Sequence, residues 1–370
     1  MNISLQIDGK VKQKTFENTP LVSVIILNYN GENYLDNCIA SVLKNSYPNF
    51  EILLVDNAST DLSVKNALET FGGDSRLRLV QSVTNLGFSG GNNLGFNHAK
   101  GDYIVFLNND TIVDAEWLTH LVNAMQTDDS IGLAQSTILM IDGQKIQTAG
   151  WLYSNYLVQK HGLAENKTSS LRMQPVFEVS VASGASMITR RSLVNEIGLF
   201  DPSIPFFYDD TLLSFKVWLA NKRVVTVSQS KIRHIQGATN VWNLKRTTYN
   251  LLKAKICLMF DIYYPIGDLA KGLFVNLFNI GVNTLFFLKK RNLPVIFANF
   301  SALSWSLKNF KYLWSNRVNH WAKKKIAPQQ LQERFVRIQL PLPLYLVPSK
   351  LSISRFMFET EKYESSLLET

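Results

Sequence analysis

The chain has 370 residues, 46% of them hydrophobic and 18% charged. That is an ordinary globular composition, large enough for one sizeable core or two smaller ones, with no internal repeat and no low-complexity tract. Its net charge of +9 is uneven: residues 1–240 hold 19 Lys and Arg against 22 Asp and Glu, whereas residues 241–370 hold 19 against 7. The two cysteines, Cys38 and Cys257, lie far apart, which excludes a disulfide framework or a cysteine metal motif and fits a reducing compartment.

Residues 1–20 are polar, with no apolar segment of the secretory kind, and read as a leader. Leu21–Leu27 (LVSVIIL) is a continuous β-branched run, the pattern of a strand buried on both faces. Glu32–Leu43 has helical spacing. Phe50–Val55 is a second buried strand, and Ser59 or Thr60 is placed to cap a helix running to about Phe71. Leu77–Gln81 is a third strand, Gly91–His98 a short helix and Tyr103–Leu107 a fourth strand. Asp114 stands as the cap of the next helix, whose core positions include Trp117, Leu118 and Leu121. Alternation of this kind predicts an α/β fold with a mostly parallel sheet covered by helices on both faces.

Ligands in such sheets bind outside the carboxyl ends of the strands. The first strand ends in Asn28-Tyr29-Asn30, the second in Asp56-Asn57, the third in NLGFSGGNNLGF (Asn85–Phe96) and the fourth in Asn108-Asn109-Asp110. Four strands therefore deliver small polar residues to one rim. Gly90 and Gly91 lack the Cβ that would keep a ligand from the backbone, and Asn92 and Asn93 fall in the expected first helical turn. The rival use of these glycines is a tight turn with close helix–sheet packing. A dinucleotide fingerprint is excluded, because the first strand is followed by a single glycine in NYNGENY. Asp110 at a strand end, beside a phosphate site, has the chemistry of a divalent-cation ligand, and equally that of a turn residue.

VSVIILNYNGENYL, VDNASTD, NLGFSGGNNLGF and GDYIVFLNNDT together resemble family 2 glycosyltransferases, in particular the branch of bacterial rhamnosyltransferases and galactofuranosyltransferases, over roughly residues 21–260. The resemblance implies a GT-A fold, with a nucleotide-binding half (21–135) and an acceptor-binding half (136–240), and an inverting, metal-assisted sugar transfer from a nucleoside diphosphate. It places Asn28, Asp56 and Asn57 at the nucleobase and ribose, and Gly91, Asn92 and Asn93 beside the nucleotide. Asn30, Gly90 and Asn109 share that rim. Asn108 and Asp110 match the ends of the family's D-x-D metal motif, with Asn in the first place removing one charge.

VASGASMITRRSLVNEIGLFDP resembles the branch's next motif and implies that Ser183, Gly184 and Ala185 line the donor-sugar and acceptor pocket. PFFYDDTLLSFKVWL matches an acidic motif opening a helix, where the helix dipole favours an anion. Asp210 is accordingly the expected catalytic base and Asp209 its support; the third acidic position of many relatives is Leu212 here. His234, after the strand Val224–Ser228, is the expected third metal ligand, with Mn²⁺ or Mg²⁺ as cofactor.

The last third reads as a basic, aromatic helical region (241–330) and a tail (331–370). Gly272–Leu288 carries no charge and is followed by Lys289-Lys290-Arg291, but its 17 residues fall short of the roughly 20 of a spanning helix. Asn276, Asn279 and Asn283 share one helical face. The segment suits a helix in a membrane interface, or one packed on the catalytic domain or a second subunit. Basic residues are not gathered around the polar rim, which argues against nucleic acid. The resemblance implies as partners a nucleoside-diphosphate sugar (deoxythymidine-diphosphate rhamnose, with uridine-diphosphate sugars such as that of galactofuranose open) and a glycan or lipid-linked acceptor; the basic, aromatic last third adds the inner face of the cytoplasmic membrane, and self-association stays open. A catalytically silent sugar-binding protein of the same fold is the other reading.

Overall fold

A computed structural model describes residues 19–154, 160–204, 207–235, 244–263, 265–338 and 360–368. The leader up to residue 18, Pro205, Phe206, residues 236–243 and most of the tail lie outside the described residues. The elements follow in chain order: β1 (Val22–Asn28), α1 (Leu35–Leu43), β2 (Phe50–Asp56), α2 (Ser63–Phe71), β3 (Leu77–Gln81), α3 (Gly87–His98), β4 (Tyr103–Asn108), β5 (Thr111–Val113) and α4 (Trp117–Thr127). Then come β6 (Ile131–Met140), β7 (Ile146–Thr148), β8 (Trp151–Ser154), β9 (Lys160–Gly162), β10 (Val176–Glu178), β11 (Ser186–Arg190), α5 (Arg191–Ile197), α6 (Asp209–Leu219) and β12 (Arg223–His234). The last third supplies α7 (Leu244–Ile262), α8 (Ile266–Lys289), α9 (Leu293–Lys308), α10 (Phe310–Ala322), α11 (Pro328–Phe335) and β13 (Val336–Ile338).

Among the described residues one ten-stranded sheet runs β10-β12-β6-β11-β4-β1-β2-β3, with β5 on β12 and β7 on β6. β1 pairs parallel with β2 and β4, β2 with β3, and β12 with β6, while β11 is antiparallel to both β4 and β6. The α/β, mostly parallel sheet of the sequence reading is therefore present. β1 shows why its apolar run is continuous: Val22, Val24 and Ile26 join the core under α1 and α4, while Ile25 joins the core on the other face. Period-two alternation with both faces buried leaves no place for a polar residue until the strand ends.

Three boundaries differ from the sequence reading. α2 begins at Ser63 rather than after Ser59 or Thr60, because the Ser59 hydroxyl accepts from Asn28 Nδ2 at 3.1 Å and from the Asn30 N–H at 3.0 Å. α4 starts at Trp117 without a side-chain cap; Asp114 contributes its backbone carbonyl to the Trp117 N–H instead. The glycine-rich helix starts at Gly87, not Gly91, so Asn92 and Asn93 sit in its second turn.

Polar contacts tie the C-terminal helices to the sheet-bearing part of the chain and to one another. The Tyr312 hydroxyl donates to Asp201 Oδ2 at 2.7 Å, and the Trp321 indole to the Asp261 carbonyl at 2.6 Å. His320 Nδ1 lies 2.8 Å from the Asp261 carboxylate, which is fully buried and whose own pKa is raised by that burial. The tail is docked as well. β13 pairs with β8, the Glu364 carboxylate accepts from the Ala164 N–H at 2.7 Å, and the Gln174 N–H donates to the Leu367 carbonyl at 2.8 Å.

Candidate active site

The parallel strands β1, β2, β4 and β12 end on one rim, and their terminal residues are joined side chain to side chain. Asn109 Nδ2 donates to Asn28 Oδ1 at 2.7 Å, and Asn28 Nδ2 to the hydroxyls of Ser59 and Ser63 at 3.1 and 2.9 Å. Asn30 Oδ1 accepts from the Thr60 N–H at 2.8 Å, and Asp56 Oδ1 from the Ser59 N–H at 3.0 Å. Asn30 and Ala58 hold φ of 53° and 65°, the left-handed region. For a non-glycine residue such as Ala58 that conformation costs about 1–3 kcal/mol and concentrates at functional sites. Asp56 Oδ2 has no protein hydrogen bond among the described residues.

Asn57 is spent on the protein. Its amide bonds Asn85 Oδ1 and the Gly87 carbonyl, both at 3.1 Å, and its carbonyl accepts from the Leu86 N–H at 2.9 Å, fixing the entry to α3. Asn92 Nδ2 donates to the Phe88 carbonyl at 3.0 Å and Asn93 Nδ2 to the Phe200 carbonyl at 2.9 Å.

The glycines have a packing reason. A Cβ on Gly91 would stand 2.3 Å from Leu27 Cδ1, one on Gly95 2.6 Å from Ile25 Cγ2, and one on Gly90 2.7 Å from Leu86 Cβ. What approaches the α3 backbone so closely is the side chains of the sheet and of the helix's own entry. Close packing, the rival use read from the sequence, is therefore reason enough for both bare positions. Gly91→Val is expected to lower the melting temperature through overpacking of about 1–3 kcal/mol, with nucleotide affinity falling only as folded protein is lost. Calorimetry beside thermal melting checks it; a fully folded variant with lost affinity would restore the cradle.

Asp110 and His234 are brought together by a non-local pairing. β12 stays paired with β6 to its last residue, His234 opposite Met140, while its other edge pairs His234 with Thr111 of β5, and the Ile235 N–H donates to the Asp110 carbonyl at 3.1 Å. His234 is thus the last residue of a long strand rather than part of a loop after a short one. Its Nε2 lies 3.2 Å from Asp110 Oδ1 and 3.4 Å from Asn108 Nδ2. Its Nδ1 faces Gln147 Oε1 at 3.1 Å, so that a proton on Nδ1 donates there and the tautomer that carries it turns the Nε2 lone pair towards Asp110. Two acceptors facing each other this closely need a second proton on the ring or a cation between them. Two neighbouring ligand atoms of one octahedral divalent cation stand about 3 Å apart, so the residues present fit the implied metal. Among the described residues no group of three His, Cys, Asp or Glu gathers; Asn108, with an amide where the family motif has a carboxylate, is one reason.

Asp209 and Asp210 occupy the first turn of α6. Asp210 Oδ2 accepts from the Gly184 N–H at 3.3 Å and its Oδ1 from the Thr211 hydroxyl at 3.2 Å. One residue on, the Ala185 carbonyl accepts from the Asn108 N–H at 3.1 Å, and the Ser183 N–H donates to Gln135 Oε1 at 2.6 Å. Ser183–Ala185 therefore ties the candidate base to the end of β4, where the candidate metal ligands begin. A Cβ on Gly184 would stand 3.2 Å from the Phe88 ring, so a larger residue there would press on that ring. Phe207 and Tyr208 precede the helix with φ of 65° and 59°, two consecutive left-handed residues that aim its first turn. Burial, with the Asp210 carboxylate nearby, pushes the Tyr208 phenol up to about 12.

Sequence reasoning did not single out Gln135, Gln147, Ser63 or Tyr208, and it named Ser59 as a helix cap rather than as a partner of Asn28. Ser59 alone had a local signal, in the NAST run. The two glutamines act through strand pairings that no short-range pattern encodes.

Residues 23–198 match the family model for glycosyl transferase family 2. The chain is 28% identical over 204 residues to an uncharacterized glycosyltransferase of Haemophilus influenzae, a match covering 55% of this chain and 60% of that one. It is 29% identical over 234 residues to the O-antigen biosynthesis protein RfbC of Myxococcus xanthus, covering 60% of this chain and 18% of that one. The chain spans less than two thirds of the length of either relative. The crystal structure of GalNAc-T7 with UDP, GalNAc and Mn²⁺ superposes with a TM-score of 0.54 at 20% identity, covering 67% of this chain and 49% of that one. At that identity the likeness is one of fold.

Proposed function

We propose that this chain, whose residues 23–198 belong to glycosyl transferase family 2 and whose fold is GT-A, transfers a sugar from a nucleoside diphosphate to a glycan acceptor with inversion at the anomeric carbon. The observation that carries the reading is the Ser183–Ala185 loop, which bonds Asp210 on one side and Asn108 on the other. A base for the incoming hydroxyl and a binding end for the departing diphosphate then belong to one rigid unit.

In this reading the rim from Asn28 to Asp56 holds the nucleoside, with Asp56 Oδ2 as acceptor for a base or ribose donor. Asp210 takes the proton of the acceptor hydroxyl while that oxygen bonds the anomeric carbon and the bond from that carbon to the diphosphate breaks. The bonds from Gly184 and Thr211 hold the carboxylate in place for that transfer, and Asp209 beside it adds negative charge. Asp110, His234 and Asn108 would hold the divalent cation, which when bound neutralises charge on the leaving diphosphate. Gln147 keeps the His234 lone pair aimed at that position. The UDP and Mn²⁺ of the GalNAc-T7 structure are in keeping with such a pair of ligands.

The resemblance of the motifs favours deoxythymidine-diphosphate rhamnose as donor, ahead of uridine-diphosphate sugars. The O-antigen name of the Myxococcus relative supports a lipid-linked envelope glycan as acceptor, which would place the enzyme at the inner face of the cytoplasmic membrane. Thermal melting with dTDP, UDP and GDP, each with and without Mn²⁺, tests the site. An upward shift is expected for one base and is larger with the metal, and slow hydrolysis of the matching sugar nucleotide is expected on prolonged incubation. Absence of any shift across the panel would overturn the nucleotide site; a shift without hydrolysis would point to a silent binding protein.

A further inference from the structure

Three of the C-terminal helices each leave one apolar face in solvent. On α8 the exposed residues are Phe274, Phe278 and Leu285, at 58, 41 and 68% of full exposure. On α9 they are Phe297, Phe300 and Leu307, at 60, 60 and 78%. On α10 they are Phe310, Trp314 and Val318, one helical turn apart each. A soluble monomer rarely shows such a concentration of aromatic and aliphatic surface without a partner.

The opposite faces are the ones in use. Asn276 of α8 is buried and bonds the Gly272 carbonyl, and Val275 is fully buried. Arg317 of α10 is buried against the Phe260 carbonyl at 2.8 Å. The face of α8 that carries Leu269, Val275 and Asn276 thus turns towards the protein, and Phe274, Phe278 and Leu285 turn outward. α8 is long and apolar enough to cross a membrane by length and composition, yet it packs along α7 and α9 and keeps a polar side.

The charge pattern chooses the occupant. From residue 269 to residue 332 there are ten Lys and Arg and not one Asp or Glu. Lys289, Lys290 and Arg291 close α8, and Lys308 and Lys311 flank the junction of α9 and α10, all of them exposed. A second copy docking through the same surface would set these cations against each other, which is costly. Exposed Phe, Trp and Leu flanked by Lys and Arg is the pattern of amphipathic helices lying in an anionic lipid interface.

We propose that α8, α9 and α10 form a membrane-docking surface that inserts its phenylalanines and leucines between acyl chains and sets its lysines and arginines against anionic phospholipid headgroups. The proposal does not depend on the transfer chemistry, because it concerns a surface on the helical extension. It predicts a peripheral, salt-sensitive attachment without a spanning segment.

Sedimentation of the full chain with vesicles tests it. Binding is expected to phosphatidylcholine vesicles containing phosphatidylglycerol, and to be much weaker with phosphatidylcholine alone. Phe297→Asp with Phe300→Asp is expected to weaken partitioning by about tenfold for each ring removed, at an unchanged melting temperature. Lys289→Gln, Lys290→Gln and Arg291→Gln together are expected to weaken binding to the anionic vesicles alone. Should the double Phe variant fail to fold, Leu307→Asp, the most exposed of these positions, reads the same face. Four results would overturn the proposal: no sedimentation with anionic vesicles, unchanged sedimentation of the folded Asp variants, a wild-type dimer that the Phe variants convert to monomer, or retention in the membrane through alkaline carbonate extraction.

Discussion

Asp210→Asn is expected to reduce sugar transfer by a factor of about 10²–10⁴, the range for removal of a general base, while nucleoside-diphosphate affinity stays close to wild type. Asparagine keeps the size of the side chain, and its carbonyl can still accept from the Gly184 N–H, which stands 3.3 Å from Oδ2 in the wild type. The loop that connects to Asn108 therefore stays in place, and the loss falls on turnover rather than on binding. Asp209→Asn separates the two aspartates: it removes a neighbouring charge without removing the proton acceptor, so a smaller loss is expected. Measurement of kcat and KM for the transfer reaction, with nucleotide affinity by calorimetry, reads both. Near-normal turnover in Asp210→Asn together with a large loss in Asp209→Asn would move the base by one residue.

Much of the fold was legible because buried parallel strands announce themselves as unbroken apolar runs. Val22–Asn28 and Phe50–Asp56 were placed to within a residue for that reason. Helix starts were harder. A Ser or Thr before an apolar periodicity is ordinarily a cap, but Ser59 is drawn off by Asn28 and Asn30, residues roughly thirty positions earlier that reach it only once β1 and β2 have paired. The glycines of α3 carried two readings for a related reason. Their spacing records how closely a helix must lie on Leu27, Ile25 and Val55, and in sequence that requirement looks the same as an opening for a ligand. On the C-terminal helices the asparagine stripe was visible, but which way it faced was decided by partners on α7 and α9. Asn283 adds nothing to that point, since its side chain lies outside the described residues.

The candidate site divides along the same line. Asn28, Asp56, Asn108 and Asp110 were readable because each ends a recognisable strand. Gln147 was not, since it sits on a three-residue strand 87 positions from the histidine it orients. Through Nε2, His234 meets Asp110 Oδ1 at 3.2 Å while Nδ1 faces Gln147 Oε1 at 3.1 Å, an arrangement satisfied by a second ring proton or by a cation.

Asp110→Ala is accordingly expected to abolish the effect of Mn²⁺ on nucleoside-diphosphate binding, and His234→Ala to weaken it strongly, because each removes one of the three side chains that would hold the cation, and Asp110 is the charged one. Gln147→Leu should act through the histidine alone, costing about 10–100-fold in metal affinity, the usual effect of removing a group that orients a ligand. Titration of Mn²⁺ into each variant in the presence of nucleoside diphosphate, followed by the relaxation of solvent water, reads the metal without recourse to activity. Binding of the nucleoside without diphosphate or metal should survive in all three, since Asp56 and the Asn28 cluster are untouched. In the wild type a chelator should remove transfer activity and added Mn²⁺ should restore it. Full activity in the presence of chelator would transfer the task of holding the leaving diphosphate to cationic side chains, and would leave Asp110 and His234 as an ion pair that closes the end of β12.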